Sequence, residues 1–61
     1  MINEHIAKQR SQCLLTAMLG KNLVDHWWST PNKAFDMRTP AGMWVEDYVK
    51  VYNYLMSRAS E

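Results

Sequence analysis

From Ile2 to Leu19 the chain carries no glycine or proline, and Ile2, Ile6, Cys13, Leu14, Ala17 and Met18 recur at helical spacing. The pattern predicts one long amphipathic helix with those side chains inward and Lys8, Arg10, Ser11 and Gln12 on the wet side. Cys13 then reads as a small core residue. Gly20 is placed to end this helix, because a glycine just past the last turn takes the left-handed conformation at no steric cost. Asn22 is placed to cap a second, shorter helix with Leu23 and Trp27 inward and Val24 and Trp28 as further candidates. Pro31 lacks an amide hydrogen and disfavours helical geometry in Thr30, so that helix should end there, with a turn or short helix running on through Phe35.

Thr39-Pro40 repeats the device: an acceptor side chain followed by proline at the first helical position predicts a short helix through about Val45. Gly42 should weaken it by about 1 kcal/mol relative to alanine, so Met43 and Trp44 must hold it by packing. Glu46-Asp47 brings negative charge to the start of a last helix, where the helix dipole favours it. Tyr48, Val51, Tyr52 and Leu55 mark its inward stripe, with Val45, Val49 and Met56 alongside, and Ala59-Ser60-Glu61 should fray. No segment alternates apolar and polar residues over strand length. The expected fold is all-α: a single domain over residues 1–61, built as a small helical bundle of one long N-terminal helix, two or three short helices and a C-terminal helix.

Composition narrows what such a bundle does. At 61 residues its core is small, and chains of this size usually lean on disulfides, metal, self-association or a partner. Cys13 is the only cysteine, and with His5 and His26 it matches no zinc-ligand spacing, so neither a disulfide, a metal nor a cofactor is expected. Self-association or a protein partner is left. Seven Lys and Arg against six Asp and Glu give a formal charge of +1 with no basic block, which makes nucleic acid an unexpected ligand. No apolar run is long enough to span a bilayer, and the first residues lack the basic-then-apolar order of a signal peptide, so a cytoplasmic protein is expected. With 48% hydrophobic residues, three Trp and three Tyr, the chain is too apolar for a disordered segment.

The stretch Trp27-Trp28-Ser29-Thr30-Pro31-Asn32-Lys33-Ala34-Phe35-Asp36-Met37-Arg38-Thr39-Pro40 resembles the antitoxin/toxin-binding domain of the Xre, MbcA and ParS group. Trp27 and Trp28 fit that family's tryptophan and large apolar residue, Pro31-Asn32 its Pro-Asn, Phe35 the apolar residue three positions on, and Arg38-Thr39-Pro40 its Gly-Arg-Thr-Pro-like turn. Val51 and Leu55 fit the apolar positions of its last helix, so the resemblance covers about residues 23–56. Two departures stand out. Asp36-Met37 occupies the place of the family's glycine, so either Asp36 takes the glycine-like backbone angle or the turn is reshaped. The helix-turn-helix that commonly precedes this domain cannot be supplied by one long helix over residues 2–19. The resemblance implies a partner-binding, dimer-forming helical module, directed in that family at toxins.

Candidate contact residues follow. Adjacent helix positions point about 100° apart, so one of the tryptophan pair should face the core and the other should not, the alternative being that both are core in so small a fold. Trp27 is expected inside and Trp28 partly exposed or at an oligomer contact. Pro31, Asn32, Thr39 and Pro40 are explained by turns and caps. Arg38 is not required by capping, and its planar donor group either ties the turn to a carbonyl or carboxylate or meets a partner. Asn53 and Tyr54 are expected on the exposed side of the last helix, whose three tyrosines cannot all face one way. Asp25-His26 reads as a surface pair and no nucleophilic set is evident, so the expectation is no enzyme. It is instead a small protein-binding module that neutralises a toxin or inhibits a host enzyme, of a kind a phage or mobile element could encode. The alternative is a dimeric nucleic-acid-associated regulator that gathers Lys8, Arg10 and Lys21 into one patch.

Overall fold

The computed structural model describes residues 2–60. Helix α1 spans Glu4–Leu19, a 3-10 turn Lys21–Leu23 leads into the short α2 at Val24–Ser29, a second 3-10 turn covers Lys33–Phe35, and α3 runs Pro40–Ala59. No strand is present among the described residues, and the fold is the expected small all-α domain. No described helix is long and apolar enough to cross a membrane.

The caps explain where the helices begin and end. Asn3 accepts from the Ile6 amide at 2.9 Å and starts α1. Gly20 ends it at φ 85°, ψ 150°, a conformation that glycine alone reaches cheaply. α2 has no side-chain cap: the Gly20 carbonyl accepts from the Leu23 amide instead, and Asn22 is exposed, which corrects its expected capping role. Thr30 leaves the helix in extended geometry ahead of Pro31. Thr39 Oγ1 accepts from the Gly42 amide at 3.1 Å with Pro40 in the first turn of α3. A Cβ at Gly42 would lie only 3.1 Å from that same oxygen, so the glycine gives the cap its room.

Helix α3 is broken where two helices were expected to meet. Asp47 departs from helical geometry (φ −157°, ψ 81°), and its Oδ1 accepts from the Lys50 amide at 3.4 Å, so it caps the second half. Tyr48, Val51, Tyr52 and Leu55 do form the inward stripe, but Val45 stands 86% exposed just before the break. Its expected place beside the stripe is therefore corrected. Ala59 remains helical and Ser60 bonds back to the carbonyls of Ser57 and Met56, so these two residues do not fray as expected; Glu61 lies outside the described residues.

The larger correction concerns α1. Its buried residues are Ala7, Ser11 and Leu15, whereas Ile6, Cys13, Ala17 and Met18 are exposed. The cause is the pair of tryptophans it meets. Glu4 Oε2 accepts from Trp44 Nε1 at 3.1 Å, Gln12 Oε1 accepts from Trp28 Nε1 at 2.8 Å, and Lys8 Nζ lies 4.4 and 5.0 Å from the Trp28 and Trp44 ring centroids. Residues 4, 8 and 12 form one row on the helix, so α1 docks by a polar row that serves indole donors and ring faces. The buried row is the adjoining one of Ala7, Ser11 and Leu15, edged by exposed Glu4 and half-buried Lys8 and Gln12, while the row containing Ile6, Cys13 and Ala17 turns outward. Farther along the α1–α3 contact, Tyr48 OH donates to the Ile2 carbonyl at 2.9 Å, and Arg10 Nη1 reaches Tyr52 OH at 3.5 Å.

Ser11 Oγ is fully buried and has no hydrogen-bond partner. Two substitutions separate this docking from the apolar-stripe pattern. Ser11→Ala removes an unpaired hydroxyl without changing the fit and should raise stability by about 1 kcal/mol. Gln12→Leu adds an apolar residue but leaves the Trp28 indole unpaired, and should cost about 1–3 kcal/mol. Chemical denaturation of the two variants reads both signs; two changes in the same direction would contradict the docking geometry.

Candidate protein-docking site

The segment between α2 and α3 closes on itself. The Asn32 amide donates to the Arg38 carbonyl at 3.0 Å, and the Asn32 carbonyl accepts from the amides of Phe35 (2.9 Å) and Met37 (3.0 Å). Asn32 Oδ1 also accepts from the Ala34 amide at 2.9 Å. One asparagine thus organises the loop through its backbone and its side chain. Phe35, 1% exposed, anchors the loop in the core and meets Tyr54 edge-on at 5.3 Å.

Both alternatives posed for residues 36 and 37 hold in part. Asp36 takes the left-handed conformation (φ 55°, ψ 41°), as a glycine substitute should, and Met37 follows at φ 65°. Both residues carry the Cβ that crowds the carbonyl here, and aspartate is the better tolerated because its short polar side chain can hydrogen-bond locally. For Arg38 the structure realises the tie to a carboxylate: its guanidinium pairs with Glu46 and fastens the loop to the first half of α3. Both side chains are about half exposed, so the pair itself contributes little stability.

The tryptophan pair is oriented opposite to expectation. Trp28 is 7% exposed, packed edge-on to Trp44 at 5.5 Å and bonded to Gln12, so it is core rather than a contact residue. Trp27 is the half-buried member, edge-on to Trp28 at 5.1 Å. α2 starts one residue later than Asn22 capping would have it, after the 3-10 turn, with Val24 and Trp28 inward and Leu23 out at 51% exposure. Asn53 is exposed as expected, and Tyr54 is half-buried. Arg38 and Tyr54 belong to one region because Phe35 links the loop to Tyr54, while Trp28 lies in the core behind Trp27.

What these contacts leave open is an apolar trough. One depression of about 220 Å³ is lined by Leu19, Leu23, His26, Trp27, Thr30, Pro31 and Asn32. A second of about 160 Å³ is walled by Leu19, Trp27, Met18, Tyr54 and Arg58 over Leu15 and Leu55. Leu19 and Trp27 line both, so the two depressions lie side by side between the end of α1, α2 and α3. Leu19, Leu23 and Met18 were not among the expected contact residues. Gly20 was the available signal: a break between Leu19 and Leu23 turns two apolar side chains away from the face that a continuous helix would bury. No group of three His, Cys, Asp or Glu suited to a metal occurs among the described residues.

The positive φ at Met37 yields a measurable expectation. Met37→Gly should stabilise the fold by about 0.5–1 kcal/mol, the relief of backbone crowding being offset in part by the greater freedom of glycine in the unfolded chain. Met37→Val should destabilise it. Thermal midpoints of the two variants test this, and an unchanged midpoint in both would show that the loop does not hold residue 37 in this conformation. No protein-family model, curated protein or solved structure matches the chain, so what the trough does has to follow from its own residues.

Proposed function

We propose that this chain is a protein-binding module, akin to the toxin-binding part of an antitoxin, that neutralises or inhibits a protein partner by direct contact. The observation that carries the reading is the trough around Leu19 and Trp27. Met18, Leu19 and Leu23 are exposed large apolar side chains brought together beside a half-buried tryptophan. Apolar surface gathered in this way on a small domain marks an interaction site rather than ordinary scatter. It adjoins the Asn32–Arg38 loop, which falls within the stretch that resembles the toxin-binding family, and that loop is built rigidly on Asn32 and Phe35. A tryptophan wall with aliphatic neighbours is the composition expected of a contact centre.

Two of the three cations that a nucleic-acid-binding dimer would gather are engaged within the fold. Lys8 lies against Trp28 and Trp44, and Arg10 reaches Tyr52. That weighs for a protein partner.

Affinity capture with the tagged chain from lysate of its source cells should recover one partner in stoichiometric amount. Co-expression with that partner should suppress the partner's activity or toxicity. Recovery of no stoichiometric protein, with a monodisperse monomer by light scattering, would overturn the proposal.

A further inference from the structure

We infer that the paired rings of Trp28 and Trp44 are a cage for a trimethylammonium group, and that Lys8 fills it as a tethered stand-in. The site lies on the α1 side of the aromatic core, apart from the trough, and does not rest on the protein-binding reading. The two indoles stand 84° apart with centroids 5.5 Å from each other, so a cation in their angle meets both rings. Lys8 Nζ occupies that angle, 4.4 Å from the Trp28 centroid and 5.0 Å from that of Trp44. The attraction is between positive charge and the electron-rich ring faces, and it is the same for any cation of suitable size.

Three features make Lys8 an exchangeable occupant. Its side chain is half-buried, and among the described residues its ammonium forms no ion pair, so the rings are what hold the charge. A depression of about 440 Å³ opens beside it, lined by Glu4, His5, Lys8 and Trp44, which gives a small ligand a way in. Glu4 stands exposed at the rim, one carboxylate oxygen accepting from Trp44 Nε1 at 3.1 Å, and adds negative charge. The choice of cation follows from hydration. A primary ammonium gives up firmly bound water to lie against indole, whereas a trimethylammonium group is weakly hydrated and lays methyl groups on the rings with the same charge. A free choline-like molecule and a trimethylated lysine side chain share this chemistry.

The probes are choline, the uncharged alcohol in which carbon replaces its nitrogen, and an N-acetylated trimethyllysine amide. Each is titrated at constant ionic strength against the wild-type chain and Lys8→Ala, with the indole N–H chemical shifts and thermal unfolding as readouts. Lys8→Ala should unfold at a lower temperature than wild type. Choline should raise that midpoint and shift the Trp28 and Trp44 signals saturably, with a Kd on the order of millimolar. The uncharged alcohol should do neither. Wild type should need at least about tenfold more choline, because Lys8 competes for the cage. Glu4→Gln keeps an acceptor for Trp44 without the charge and should weaken binding about threefold. A trimethyllysine amide that binds at least about tenfold more tightly than choline assigns the cage to a modified side chain, and comparable affinity assigns it to a free ligand. Equal responses to choline and the uncharged alcohol, or no saturable shift in folded Lys8→Ala, would overturn the inference. Should Lys8→Ala fail to fold, the wild-type titration decides by the same contrast between choline and the alcohol.

Discussion

The fold depends on the way α1 meets two indoles. Trp28 and Trp44 each present an N–H that loses water on burial and a ring face that attracts a cation, and α1 answers both with Glu4, Lys8 and Gln12 on a single row. A wholly apolar helix face would bury as much surface but strand two donors, at about 1–3 kcal/mol each. In a 61-residue domain, where a single core seldom contributes more than about 3–5 kcal/mol, that difference is large enough to select which side of α1 turns inward.

The same aromatic set carries the core outward. Tyr48 leans on Trp44, Trp44 meets Trp28 edge-on, and Trp28 meets Trp27 edge-on, with ring centroids 5.1 to 5.6 Å apart. Trp27 is the last ring of the series and forms a wall of the trough. The exposed site is therefore supported from behind by packed rings, which limits the side-chain entropy that contact would otherwise cost. Core and trough are consecutive layers of one aromatic series.

Local signals in the sequence were legible because their causes are local. Thr39-Pro40, Thr30 before Pro31, Gly20, and the break at Glu46-Asp47 each act through a few neighbouring backbone groups, and each appears in the structure. Asp36 could be read as a glycine substitute for the same reason. The inward face of α1 could not, because the row of apolar residues at Ile6, Cys13 and Ala17 competes with a polar row whose value depends on tryptophans 16 to 40 positions away. Trp28 was misplaced through the start of α2: a 3-10 turn instead of an Asn22 cap changes which of two adjacent rings points in. Arg38 was placed only to the point of two options, since Glu46 lies on a different helix and spacing alone does not bring them together.

The misreadings have a shared consequence for function. Once α1 commits its polar row to the tryptophans, its apolar outer row and the side chains around Gly20 are surplus to the core, and they differ in surroundings. The outer face of α1 at Cys13 is bordered by His5, Gln9, Gln12 and Thr16, groups that hold water and raise the cost of covering it. Leu19, Leu23 and Met18 instead adjoin Trp27, Pro31 and Tyr54, with His26, Thr30, Asn32 and Arg58 completing the lining of the two depressions. The glycine that ends the first helix, by exposing Leu19 and Leu23 together, shapes the trough as directly as any residue that lines it.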